Sequence, residues 1–227
     1  MSAPRLWWFL PSVEVQQRAD LLAGAKEPKL ELTNGAEIHA ILFGPPGASK
    51  APPHPEVSAS VDAEDWSALP KPKLRVADPD FAPDVFQLGL TLVSGRLAGI
   101  IAQAGARPDY LEVDCVDCPG RVRDRGYRAL NVTDFADPID RERTVPDRYV
   151  DVPTAAGTVS VWSPGPPDFE RPPPAIRWRE DFAPPSPMFR VPGTGWTLVT
   201  DELAEGIGRA AVTDVLLVDL TIGATRE

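Results

Sequence analysis

Leu92-Val93-Ser94-Gly95-Arg96-Leu97-Ala98-Gly99-Ile100-Ile101 and Leu198-Val199-Thr200-Asp201-Glu202-Leu203-Ala204-Glu205-Gly206-Ile207 are two versions of one pattern. Val85-Phe86-Gln87 precedes the first and Met188-Phe189-Arg190 the second. Asp109-Tyr110-Leu111-Glu112-Val113-Asp114 and Asp214-Val215-Leu216-Leu217-Val218-Asp219 follow them. Ser94 and Thr200 stand 106 positions apart, Asp114 and Asp219 105, so a one-residue deletion relates the copies. In each, an apolar stretch ends at a hydroxyl side chain suited to cap the free N–H groups of a helix. Leu97, Ile100 and Ile101, like Leu203 and Ile207, then fall on one helical face. Asp201 and Glu202 occupy a first turn, where the helix dipole favours negative charge. A strand follows: Leu111 and Val113 alternate with polar neighbours, and Val215–Leu220, apolar except for Asp219, is expected at the centre of a sheet. The fold class expected is α+β: one mixed sheet with helices, built from two similar strand–helix–strand halves at 85–114 and 188–219.

Around this repeat, Trp7, Trp8 and Phe9 form an aromatic cluster, and Val15, Ala19 and Leu22 set a helical face within 14–25. Ile38–Phe43 reads as a short strand ending at Gly44. The chain has 27 prolines and 17 glycines in 227 residues. Proline is excluded from helix interiors and central strands, and it gathers in loops near 44–56 and 164–187. A single domain over 1–227 is expected, long enough to bury a core without crosslinks.

The net charge is −10, which repels phosphate backbones and anionic membrane surfaces. Direct nucleic-acid or membrane binding is therefore not expected, whereas a basic protein partner suits the field. No stretch reaches the roughly 18 apolar residues needed to span a bilayer. The run Leu6–Leu10 is shorter than the roughly 7–15 residues of a secretory core. With two cysteines, a reducing cytoplasm is the expected location.

Residues that carry chemistry are sparse. Cys115-Val116-Asp117-Cys118 is a lone CxxC, whereas a structural zinc site needs four ligands. Only His39 and His54 could complete it. A redox pair is expected beside a helix N-terminus, and Pro119-Gly120 reads instead as a turn closing a strand. Gly44-Pro45-Pro46-Gly47-Ala48-Ser49-Lys50-Ala51 has the outline of a phosphate loop, but it lacks Gly before the Lys and a hydroxyl after it. No GxSxG elbow occurs, and a triad would need one of the two histidines as base. The carboxylates are numerous, yet nothing nominates two of them as a glycosidase pair. No catalytic residue, metal or cofactor is assigned, and an enzyme is not expected. A hydrolase of unknown substrate and a structural adaptor presenting its proline-rich loops are the alternatives.

Several segments resemble a known group when taken in order: Asp80-Phe81, Leu92-Val93-Ser94, Tyr127-Arg128-Ala129-Leu130-Asn131-Val132, Asp137-Pro138-Ile139-Asp140-Arg141-Glu142-Arg143-Thr144, and Met188-Phe189-Arg190-Val191 with Leu198-Val199-Thr200. The chain is similar to family eleven of the immunity proteins of bacterial polymorphic toxin systems, over roughly 60–220. The resemblance implies a cytoplasmic α+β protein that binds a cognate toxin and blocks its active site or the approach of its substrate. Asp140 beside Arg141 and Arg143 reads as a turn and local ion pair. Partner contacts are expected on Asp62, Glu64, Asp65 and Trp66, an aromatic anchor in an acidic patch. The alternative for Trp66 is a lid over the core.

Overall fold

The computed structural model describes residues 5–43, 63–140, 142–143, 148–154, 157–163, 177–192 and 196–220, with backbone alone for 42–43, 63–65, 148–154 and 157–163. In chain order the first elements are β1 (Leu6–Pro11), α1 (Val13–Ala23), β2 (Leu30–Leu32), α2 (Gly35–Phe43), α3 (Ala63–Ala68), β3 (Lys73–Val76), β4 (Val85–Leu88), β5 (Leu90–Val93) and α4 (Gly95–Gln103). They are followed by β6 (Asp109–Glu112), β7 (Asp114–Cys115), α5 (Gly120–Arg123), β8 (Arg128–Asn131), β9 (Arg148–Thr154), β10 (Gly157–Ser163), β11 (Met188–Arg190), β12 (Thr197–Thr200), α6 (Asp201–Arg209) and β13 (Val215–Asp219). The class is α+β.

The strands form several sheets rather than one. A four-stranded sheet runs β4-β5-β8-β6, a second runs β11-β12-β1-β13, a three-stranded sheet runs β2-β3-β7, and β9-β10 is a hairpin. Only the three-stranded sheet is mixed, since β2 and β3 are antiparallel while β3 and β7 are parallel. The reason lies in the space each helix spans. β5 and β6 both run antiparallel to β8, and β12 and β13 both run antiparallel to β1. Each helix thus carries the chain past one strand position, and an antiparallel strand from elsewhere fills the gap.

Ser94 and Thr200 do sit at helix starts, as N-caps of α4 and α6, and Leu97 and Leu203 are buried on those helices. The caps differ in quality. Ser94 Oγ accepts from the Leu97 amide at 3.1 Å, whereas the Thr200 side chain makes no capping bond.

Two expectations are corrected. Ile38–Phe43 lies in α2, not in a strand. Thr33-Asn34-Gly35 turns the chain, Asn34 Oδ1 accepts from the Lys73 amide at 2.9 Å, its Nδ2 donates to Lys71 O at 3.0 Å, and the Ile38 amide donates to Asn34 O at 3.2 Å. A short apolar run does not by itself distinguish helix from strand, and here the anchored turn decides. Val215–Leu220 is not central either: β13 ends its sheet, and β1 occupies the interior position. Trp8 lies opposite Leu198 on one side and Val218 on the other.

Three apolar clusters fill the molecule. The first joins α1, β2, β3 and one face of the first sheet through Ala19, Leu30, Leu74, Val76, Phe86, Leu92 and Ala129. Phe86 stacks edge-on to both Phe81 and Tyr127, with ring centroids 5.3 Å apart in each pair. The second lies between the four-stranded sheets and takes Val85, Val93, Leu97 and Ile101 from β4, β5 and α4, and Met188, Val199, Leu203 and Ile207 from β11, β12 and α6. The third covers the far face of the second sheet with Leu6, Phe189, Trp196 and Leu198. Among the described residues, no helix is long and apolar enough to cross a membrane.

Candidate functional site

Of the residues nominated for partner binding, Trp66 alone has a described side chain. Asp62 lies outside the described residues, and Glu64 and Asp65 are on α3, where only the backbone is described. Trp66 on the same helix is 4% exposed and packs in the first core cluster. Its indole N–H finds no hydrogen-bond partner among the described residues. In the folded chain Trp66 is a core side chain, so it reaches a partner only by leaving that core.

The proline-rich segments at 44–56 and 164–176, with His54 and the Gly44–Ala51 loop, also lie outside the described residues. The CxxC is described. Cys115 ends β7, Cys118 is buried and donates its thiol to Leu74 O at 3.3 Å, and both thiols are free. Pro119 caps the short helix α5, so a helical turn follows the pair rather than a strand-closing turn. Asp117 takes a left-handed conformation, φ 56°, which lets the chain reverse between β7 and α5. Burial, then the neighbouring Cys118 thiol, pushes the Cys115 thiol up to about 12. A thiol held protonated is a poor nucleophile and a poor redox group. Among the described residues, no group of three or more His, Cys, Asp or Glu side chains is placed to hold a metal ion.

The most developed polar constellation was not nominated by sequence. Asp84 follows Ala82-Pro83, is 3% exposed, and sits at the mouth of β4. Ser94 Oγ donates to Asp84 Oδ1 at 2.5 Å, Arg125 pairs with that oxygen at 3.2 Å, and Arg96 pairs with Oδ2 at 3.4 Å. The backbone closes the same corner: the Ser94 amide donates to Asp84 O and the Gly95 amide to Arg125 O, both at 2.8 Å. The Asp84 amide donates to Asp214 Oδ2 at 2.7 Å, and the Ser12 amide donates to Asp214 O at 2.6 Å. Arg96 also donates to the Ala210 carbonyl at the end of α6. Asp84 therefore links α4 and the loop before β8 through its carboxyl group and the entry to β13 through its backbone amide. The cap at Ser94 was legible as a local pattern. Its partner Asp84 was not, because nothing in the spacing of Asp84, Arg96 and Arg125 marks them as neighbours.

This corner opens into a cleft of about 420 Å³, lined by Arg18, Arg96, Arg121 and Arg125, by Glu14, Asp80, Asp84 and Asp214, and by the apolar Val15 and Phe81. On its edge Arg18 bonds Asp78 at 2.8 Å. That hydrogen bond is the main cause holding the Asp78 carboxyl below its usual range.

A second surface feature lies around Asp140. Asp140 Oδ1 accepts from the Glu142 and Arg143 amides, each at 3.2 Å, and Arg143 Nε lies 3.6 Å from Asp140 Oδ2. Asp137 similarly accepts from the Ile139 amide at 3.1 Å. Asp137–Arg143 is thus a run of carboxylate-closed turns. It faces Arg179, Glu180 and Asp181 across an open depression of about 410 Å³. Glu180 and Asp181 are almost wholly exposed, at 93% and 81%. Their pairings with Arg143 at 4.0 Å and Arg179 at 3.6 Å are solvent-screened and contribute little to stability. No family model matches this chain, and no curated protein matches it.

Proposed function

We propose that this protein is an immunity protein: it binds a cognate, basic protein toxin in the cytoplasm and blocks the toxin's active site or the access of its substrate. The observation that carries the reading is the ordered run of motifs from Asp80 to Thr200 that resembles immunity-protein family eleven. Its Asp137–Arg143 segment lies beside the exposed carboxylates of Glu180 and Asp181. Among the described residues there, Asp140, Glu142, Glu180 and Asp181 outnumber Arg143 and Arg179, and the whole chain carries −10. An acidic surface of this kind mimics an anionic substrate and draws a basic cleft toward it. Asp62, Glu64 and Asp65 are proposed to extend the acidic surface that meets the toxin. We also propose that the 85–114 and 188–219 segments are duplicates, supported by their matching order of hairpin, capped helix and returning strand.

The test is association kinetics with the product of a neighbouring toxin gene, followed by growth protection on co-expression. Tight binding is expected, with an association rate that falls steeply as salt rises. Neutralising Asp62, Glu64 and Asp65 together is expected to slow association more than it hastens release. A chain that neither binds that toxin nor protects cells would sink the reading. An unchanged salt slope in the triple variant would move the contact away from those three residues.

A further inference from the structure

The cleft beside Asp84 gathers four arginines in a chain whose net charge is −10. Three have protein partners: Arg18 pairs with Asp78, and Arg96 and Arg125 pair with Asp84. Arg121, exposed on the first turn of α5, has no ion pair or side-chain hydrogen bond among the described residues. Each guanidinium carries five N–H donors in a rigid plane. Arg96 uses one on Asp84 and one on Ala210 O, and Arg125 uses one on Asp84, so both keep donors in reserve. The Asp84 carboxyl, 4% exposed, fixes where these two heads stand without consuming their capacity. Val15 and Phe81 supply an apolar wall. The volume of about 420 Å³ falls within the range of small-molecule sites.

We propose that this cleft binds a small molecule bearing a carboxylate next to an apolar group, with Arg121 as the main anion-binding residue and Arg96 and Arg125 as fixed donors beside it. A planar carboxylate matches the guanidinium fork with two parallel hydrogen bonds. Glu14, Asp80 and Asp214 also line the cleft, and their charge works against a multiply charged anion such as phosphate. This site is independent of toxin binding, and either reading stands if the other fails.

The test is an amide-resolved NMR titration of the full chain with phenylacetate, compared with sodium chloride and sodium phosphate at matched ionic strength. Phenylacetate is expected to give saturable shifts at residues 14–18, 80–84, 94–96, 121–125 and 213–214. Arg121→Gln, an exposed change that leaves the fold intact, is expected to weaken the apparent affinity about tenfold, the scale of one charge-assisted bidentate pair. Glu14→Gln is expected to tighten it by about two- to threefold through removed repulsion. Shifts that grow linearly as with chloride would overturn the site, as would an Arg121→Gln titration that matches the parent. Phosphate binding tighter than phenylacetate would overturn the carboxylate assignment.

Discussion

Asp84 illustrates how much one residue can hold. Its carboxyl group is buried, and Ser94, Arg96 and Arg125 all converge on it. Removing it leaves the buried Ser94 hydroxyl without its acceptor and the partly exposed Arg96 and Arg125 without their partner, at a cost of about 1–3 kcal/mol. Asp84→Ala is expected to lose that much in urea unfolding, and a loss below about 1 kcal/mol would show that the arginines find water instead. Tyr110 presents the opposite case. Its hydroxyl has no hydrogen-bond partner among the described residues, and burial pushes its ionisation from 10.0 to about 12. Tyr110→Phe removes an unsatisfied polar atom, so at neutral pH it is expected to be neutral or stabilising by up to about 1 kcal/mol. Because the folded value lies above the unfolded one, the neutral phenol's contribution is fully present below pH 10 and is lost as pH rises toward 12. The advantage of Tyr110→Phe over the parent should therefore widen across that window, and parallel stability curves from pH 9 to 12 would refute it.

Helices α4 and α6 each carry the chain past one strand position, yet their N-termini are held differently. Ser94 both caps α4 and donates to Asp84, while Thr200 makes no side-chain cap and α6 relies on Asp201 and Glu202 in its first turn. Ser94→Ala is expected to cost about 2 kcal/mol or more, at the high end for a cap because the buried Asp84 oxygen also loses its donor. Thr200→Ala should cost less than about 0.5 kcal/mol. Equal losses in chemical denaturation would mean that the cap bond is not what distinguishes them. At this scale the sequence was most readable. A cap, an apolar face and a returning strand are local patterns, and Ser94, Leu97 and Leu203 lie where those patterns put them. Reading failed where an element's type or place depends on distant residues. Asn34 commits α2 through the backbone of Lys71 and Lys73, and β13 is displaced to an edge by β1. The cleft arginines failed for the same reason, since Arg18, Arg96, Arg121 and Arg125 converge only through tertiary folding.

The two four-stranded sheets share the apolar layer that holds Leu97 and Ile101 opposite Leu203 and Ile207. A core shared by the two sheets is expected to make them one unfolding unit. Leu97→Ala and Leu203→Ala should each cost about 2–5 kcal/mol and lower a single transition seen alike by tryptophan fluorescence and far-ultraviolet circular dichroism. Two separated transitions in either variant would show that the sheets fold independently. The placement of β1 has a consequence for how the chain is made. It lies between β12 and β13, with Trp7 bonded to Asp201 across 194 positions and Arg5 to Asp219 across 214. During synthesis, Trp7 leaves the ribosome 194 positions ahead of Asp201, so β1 waits a long time before either neighbouring strand emerges. A nascent protein stalled before β12 carries this aromatic strand with both edges open, which makes it a substrate for chaperones and a seed for aggregation.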